Sequence, residues 1–125
     1  MPPCPFCNPA HVHLAESPHA IAIADAFPVA RGHALVLPRR HVVSVFDLDE
    51  SELAGFFALV GKVRAQLQAE LHPDAFTVGI NDGTAAGQTV EHAHLHMIPR
   101  WQGDVADPRG GVRLLLPERA RYWDA

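Results

Sequence analysis

One amphipathic helix laid against one β-sheet is the arrangement this chain predicts, and three observations carry it. Between residues 53 and 71, Leu53, Phe56, Phe57, Val60, Val63, Leu67 and Leu71 recur at helical spacing. Residues 19–25, 33–38 and 75–81 are short apolar runs bounded by turn-forming residues, the signature of strands. No repeat, low-complexity run or linker interrupts the first hundred residues, so the 125 residues are read as a single domain with a modest core.

Each element has a local reason. Ile21 and Ile23 fall on one face of the first strand, and "HALVLP" at 33–38 makes the next. The connecting "AFPVARG" carries Pro28 and Gly32 as turn punctuation, which predicts an antiparallel hairpin with a longish loop. Asp49 and Glu52 stand three apart, as in a capping box, ahead of the helical run. Glu52, Lys62, Arg64, Gln66, Gln68 and Glu70 form its polar side, and His72-Pro73 stops it, because proline disfavours helical dihedrals in the residue before it. "DGTAAGQ" at 82–88 is a glycine-bearing loop between the strand at 75–81 and a histidine-rich segment, and residues 112–116 read as a last short strand.

Composition excludes several classes. The net charge is −4 with ten scattered Lys and Arg, which is not the basic stripe of a polymeric nucleic-acid binder. No run of 18 apolar residues is present, and "MPPCPFCNPA" has neither the charged start nor the apolar core of a signal peptide, so no membrane partner and a cytoplasmic address are expected. There, Cys4-Pro-Phe-Cys7 reads as a metal or redox pair in preference to a disulfide.

The chemistry concentrates in "QTVEHAHLHMIPR", residues 88–100. Taken as a strand, this segment turns His92, His94 and His96 to one face and Ala93, Leu95 and Met97 to a buried one. One histidine is then a nucleophile, or all three hold a metal. The flanking loop favours the first: Gly83 and Gly87 let backbone amides approach a phosphate, and Gln88 and Thr89 add hydrogen-bonding groups. A neutral imidazole can attack phosphorus to give a phosphoramidate that water later cleaves, dividing one hard displacement into two easier ones. His11 and His13 also alternate but lack such a loop and receive no role.

"NDGTAAGQTVEHAHLHMIPR", residues 81–100, resembles the signature of the histidine triad (HIT) superfamily of nucleotide hydrolases and transferases: a glycine loop, Gln, Ser or Thr, then His-φ-His-φ-His-φ-φ, with φ apolar. "ADAFPVARGHALVLPRRH" resembles the family's nucleotide-binding hairpin, and the likeness covers roughly residues 4–104, leaving 105–125 as an irregular extension. "GTAAGQTV" and "IPRWQGD" are closer to the dinucleoside polyphosphate hydrolase branch than to galactose-1-phosphate uridylyltransferases, which carry Gln where this chain has His96.

The resemblance implies an α+β fold, a mostly antiparallel five-stranded sheet with one long helix, and a homodimer whose sheets join. It implies that His94 attacks the α-phosphorus of an adenine nucleotide, that His96 contacts the α-phosphate and that His33 lies close by. Asn81, Gly87 and the amides near Gln88 and Thr89 would bind phosphate oxygens, with Gln88 or Thr89 donating toward the leaving oxygen. Asp25 would take the ribose hydroxyls, and Phe6 and Ile23 the base. A divalent cation accompanying the nucleotide is compatible with this scheme. Some family members with an N-terminal CxxC bind zinc through a set that here corresponds to Cys4, Cys7, His41 and His92, a closed Cys2His2 set with no position for substrate, so the resemblance implies a structural zinc. The leading expectation is a hydrolase of dinucleoside polyphosphates or nucleoside phosphoramidates. Nucleotidyl transfer or phosphorolysis, a nucleotide-binding regulatory protein with vestigial catalysis, and a plain metal-binding module are the alternatives. Trp101, Tyr122 and Trp123 are read as packing at the dimer surface in preference to reaching an active site, their own or a partner subunit's.

Overall fold

The computed structural model describes residues 4–8 and 10–124. Helix α1 spans Glu50–Leu71. Its start is the capping box expected: Asp49 accepts from the Glu52 amide at 2.8 Å while Glu52 accepts from the Asp49 amide at 3.2 Å. Its end is His72, left-handed at φ 51, whose amide donates to the Gln68 carbonyl.

Five antiparallel strands form one sheet in the order β1-β2-β3-β5-β4, with β1 at Ala15–Glu16, β2 at Ala20–Ala24, β3 at Ala34–Pro38, β4 at Ala75–Ile80 and β5 at Leu95–Arg100. Strands β2 and β3 are the expected hairpin, registered Ala24 to Ala34. Alternation along the strands gives the sheet two distinct faces. Ala20, Ala22, Ala34, Val36, Leu95 and Met97 pack against Phe56, Leu59, Val63 and Leu67 of α1. The outer face carries Ile21, Ile23, Leu35 and Leu37, with Phe6 lying on them. No helix is long and apolar enough to cross a membrane.

Three expectations need correction. The helix buries Leu59, 2% exposed, while Phe57 is 45% exposed. Phe57 is one residue, about 100° of helical rotation, from buried Phe56, which puts it on the flank, whereas Leu59 is one turn along the same stripe. Residues 112–116 do not form a strand: a 3-10 turn occupies Gly111–Leu115, and β1 is the fifth strand. Gly110 and Gly111 both have positive φ, and Arg113 donates to the Ala120 and Arg119 carbonyls, which folds this segment on itself. Finally, β5 begins only at Leu95, so strand alternation does not set the faces of His92 and His94. Both are buried, at 1% and 8% exposure, because their rings are used inside the protein.

Candidate functional site

Two clusters of chemically capable side chains lie at opposite ends of β3, where it pairs with β5. The first joins the N-terminus to the sheet. Cys4 and Cys7 bracket a single 3-10 turn, Pro5–Cys7, that closes with the Cys7 amide donating to the Cys4 carbonyl and turns both thiols the same way. Cys4 Sγ and Cys7 Sγ are each 3.5 Å from His92 Nδ1, Cys7 Sγ is 3.3 Å from His41 Nδ1, and the two imidazole nitrogens are 3.2 Å apart. All four ligand atoms lie within 4.8 Å of one another.

A tetrahedral zinc with ordinary Zn–N and Zn–S bonds would separate its ligands by about 3.3 Å (N to N), about 3.5 Å (N to S) and about 3.8 Å (S to S), so the cage fits the ion. The tautomer fits as well. His92 Nε2 is 2.8 Å from the Pro38 carbonyl, which can only accept, so Nε2 carries the proton and Nδ1 turns a bare lone pair toward the thiols. Burial, and after it the hydrogen bond and charge of Cys4, push the Cys7 thiol upward, a penalty that a dication between the thiols reverses. Burial also pulls His92 below the ordinary histidine range, keeping it in the neutral form that ligates metal.

The second cluster lies on the outer face of the sheet. Gly32 turns the hairpin loop into β3 at φ 81, a left-handed conformation that strains any residue with a Cβ, so glycine is favoured there. Next in the chain, His33 is buried at 4% exposure. The Val29 amide donates to His33 Nδ1 at 3.2 Å, so His33 Nε2 bears the proton. From there it donates to His96 Nδ1 at 2.9 Å, with Asp25 Oδ2 at 3.3 Å as a second acceptor. His96 therefore keeps its own proton on Nε2. Asp25, His33 and His96 also come close enough to suggest a metal site. The Val29 amide argues for a hydrogen-bond relay instead, because a neutral His33 protonated at Nε2 has no lone pair there to give a cation. Burial lowers both His33 and His96; Asp25 partly offsets this, while His94 and His33 lower His96 further.

His94 stands between the clusters. Its Nδ1 lies 2.8 Å from the His92 carbonyl, which can only accept, so in the neutral ring the proton sits on Nδ1 and the lone pair on Nε2. The Phe6 ring meets the His94 ring edge-on, centroids 4.9 Å apart, so the turn between the cysteines touches this imidazole. The three histidines, alike in sequence, thus have three assignments: His92 a bare Nδ1 toward the thiols, His94 a bare Nε2, and His96 a protonated Nε2.

The glycine loop divides its two polar residues. Gln88 is buried, its Nε2 donating to the Val43 and Val90 carbonyls at 2.9 and 3.0 Å and its Oε1 accepting from the Gly83 amide at 2.8 Å. All of its side-chain polar atoms are engaged in holding the loop. Thr89 is exposed, and its hydroxyl has no hydrogen-bond partner among the described residues. Gly87 adopts φ 98, a left-handed conformation that ends the 3-10 turn Thr84–Ala86. Asn81 follows β4 and lines, with His33 and His96, a cavity of about 1000 Å³. Sequence reading missed the backbone groups of Val29, Pro38 and Val43, which have no signature in residue type. It also missed Ile98 and the C-terminal leucines that share the cavity wall.

Comparison with known proteins shows what the chain is similar to. A HIT-like protein of Mycoplasma genitalium, itself uncharacterized, is 40% identical over 89 residues, 71% of this chain and 63% of its own. The asymmetrical bis(5'-nucleosyl)-tetraphosphatase of Schizosaccharomyces pombe is 41% identical over 86 residues, 69% of this chain and 47% of its own. The chain thus spans less than two thirds of either relative. Among solved structures, a Zn-bound histidine triad family protein from Mycobacterium smegmatis superposes with TM-score 0.73 at 35% identity, covering 90% of this chain and 89% of the other. With a HIT domain family model matching residues 8–103, the span that holds all three histidines and the five-stranded sheet, the chain belongs to the HIT domain family.

Proposed function

We propose that the protein hydrolyses adenine nucleotides at the α-phosphorus, a dinucleoside polyphosphate or a nucleoside phosphoramidate, and releases a nucleoside monophosphate. The observation that carries this reading is the His94 tautomer. With Nδ1 donating to the His92 carbonyl, the Nε2 lone pair is ready for attack without prior loss of a proton. In the first step Nε2 forms a bond to the α-phosphorus, the bond to the leaving group breaks with its electron pair, and the leaving group takes a proton. In the second step water attacks the nucleotidyl-histidine, the P–N bond returns its pair to His94, and the monophosphate departs.

The neighbours have roles suited to their geometry. His96 Nε2–H donates to a phosphate oxygen, and His33 keeps it in the tautomer that can donate. Both are neutral at physiological pH, so they neutralise developing charge by hydrogen bonding. Asn81 and the amides beside Gly87 bind phosphate oxygens. Gln88 holds the loop in shape from inside, and Thr89 supplies the free hydroxyl toward the leaving oxygen. Asp25 accepts from the ribose hydroxyls, and Phe6 with Ile23 forms the apolar platform for the base.

Cys4, Cys7, His41 and His92 would hold a zinc ion, a fixed dication that would tie the N-terminus to the sheet and, through Phe6, to the surroundings of His94. The closed ligand set assigns it no part in hydrolysis. β4 is an edge strand with Val78 41% exposed, the side on which a second copy would continue the sheet into a homodimer.

Incubation with labelled diadenosine tetraphosphate and with an adenosine phosphoramidate tests the reading. Native protein turns over at least one of them and yields an acid-labile nucleotidyl adduct, and His94→Ala yields neither turnover nor adduct. Tight nucleotide binding by native protein with no turnover and no adduct on either substrate would instead identify a regulatory binding protein.

A further inference from the structure

The turn that carries the two cysteines is held by bonds that use neither sulfur. The Cys7 amide closes it on the Cys4 carbonyl at 3.2 Å. His11 Nε2 donates to the Pro5 carbonyl at 2.6 Å, the His11 amide donates to the Asn8 carbonyl at 3.4 Å, and Asn8 Oδ1 accepts from the Ala10 amide at 2.9 Å. Closure between residues three apart keeps their Cα atoms within about 7 Å, the range over which a disulfide can form. The backbone therefore sets the two thiols side by side on its own account.

The sulfurs differ in access: Cys7 is exposed and Cys4 half-buried. Metal ligation needs the thiolate, and so does reaction with a peroxide, so the chemistry that suits the pair to zinc also suits it to oxidation. An exposed thiolate next to a second cysteine that can resolve its first oxidation product is the arrangement of a redox sensor. Phe6 lies between the two cysteines in the chain and packs on Ile21, Ile23, Leu35 and Leu37. Its ring meets the His94 ring at 4.9 Å and the His92 ring at 6.1 Å. Both imidazoles have their own anchors, His92 on the Pro38 carbonyl and His94 on the His92 carbonyl, each at 2.8 Å. A pull on the turn thus moves Phe6 against two fixed rings.

We propose that Cys4 and Cys7 are a reversible disulfide switch: hydrogen peroxide joins the two sulfurs, zinc is released, and Phe6 leaves its place against His94. The inference rests on the structural-zinc reading for its metal step and is independent of hydrolysis. The Cys7 thiolate attacks one peroxide oxygen, the O–O bond breaks, and Cys7 becomes a sulfenic acid while the departing hydroxide takes a proton to give water. The Cys4 thiolate then attacks the Cys7 sulfur and displaces a second hydroxide, which also leaves as water. Two electrons pass from the sulfurs to peroxide, and zinc keeps its charge. A disulfide offers no thiolate, so the ligand set falls to His41 and His92. The sulfurs also close from the roughly 3.8 Å of a zinc site to about 2.0 Å, which draws the ends of the turn together around Phe6.

The test treats the zinc-loaded full chain with hydrogen peroxide and then with dithiothreitol, and its readouts need no substrate. They are zinc passed to a chromogenic indicator, free thiols with intact mass, and the His94 Cε1–H resonance by NMR. One zinc per chain should appear in step with the loss of both thiols and a mass two hydrogens lower, and dithiothreitol with zinc should restore the starting state. The His94 resonance should shift on oxidation in native protein and much less in Phe6→Leu, which keeps the bulk and removes the ring current. Cys4→Ser, lacking the resolving thiol, should instead gain oxygen at Cys7 and fail to recover fully in dithiothreitol. Zinc retained after both thiols are lost, oxygen added to native protein in place of the disulfide, a disulfide joining two chains, or an unmoved His94 resonance overturns the inference. A native protein that binds no zinc ends the zinc reading, and disulfide formation with the His94 shift then decides the switch.

Discussion

Replacing Cys7 by serine tests how the N-terminus is held. The four ligand atoms already stand at separations of 3.2 to 3.5 Å where measured pairwise, close to the edges of a zinc tetrahedron, so little rearrangement is needed for loading. Zinc affinity then passes into folding stability by linkage: at free zinc a thousandfold above Kd the bound ion contributes about 4 kcal/mol. Serine leaves three good ligands. If affinity falls about a hundredfold, the contribution at the same zinc concentration drops to about 1.4 kcal/mol, a loss of about 2.7 kcal/mol. For a chain of 125 residues, with about 2 cal/mol/K of unfolding entropy per residue, that lowers Tm by on the order of 10 °C. Scanning calorimetry with and without chelator, beside elemental analysis, reads it: native protein should carry one zinc per chain and lose a comparable Tm to chelator, and the variant should respond much less. A metal-free native protein whose Tm ignores chelator and equals that of Cys7→Ser would refute the reasoning.

Three further outcomes follow from the same geometry. His33→Asn removes the donor to His96 Nδ1 and should lower kcat by up to about a hundredfold with a smaller change in KM, read from steady-state kinetics at fixed pH. Gln88→Ala leaves two carbonyls and the Gly83 amide without their partner, so urea unfolding should show a loss of about 1 to 3 kcal/mol; unchanged stability with a large fall in kcat would mean that the amide serves the leaving group instead. Folded His33 and His96 both resist protonation relative to their ordinary value of 6.5, with burial the first cause. The unfolded chain therefore binds more protons below that value, so the stability these groups carry is fully present above it and is lost as pH falls through it toward the folded values. The urea midpoint should drop between about pH 7.5 and about pH 5.5, and less steeply in His33→Asn.

The sequence by itself determined the elements whose causes are local. Helix α1 was legible from Asp49 to Leu71 because caps and apolar spacing act over three or four residues, and the β2–β3 hairpin because its turn residues lie between its strands. The triad and the Cys-x-x-Cys pair were legible as motifs. What they do was decided by tertiary structure. His92 and His94 differ because one ring meets the Pro38 carbonyl through Nε2 and the other meets the His92 carbonyl through Nδ1, and every residue carries the same carbonyl, so no residue type announces which ring it will meet. Gln88 is read as a phosphate-side donor until the fold turns its amide onto Val43, 45 positions away. Residues 112–116 have an apolar run suited to a strand, but glycines at positive φ and the Arg113 contacts to Arg119 and Ala120 close them into a turn that walls a cavity. Local spacing specifies which elements form; partners distant in the chain specify which atom of each side chain is left free to react.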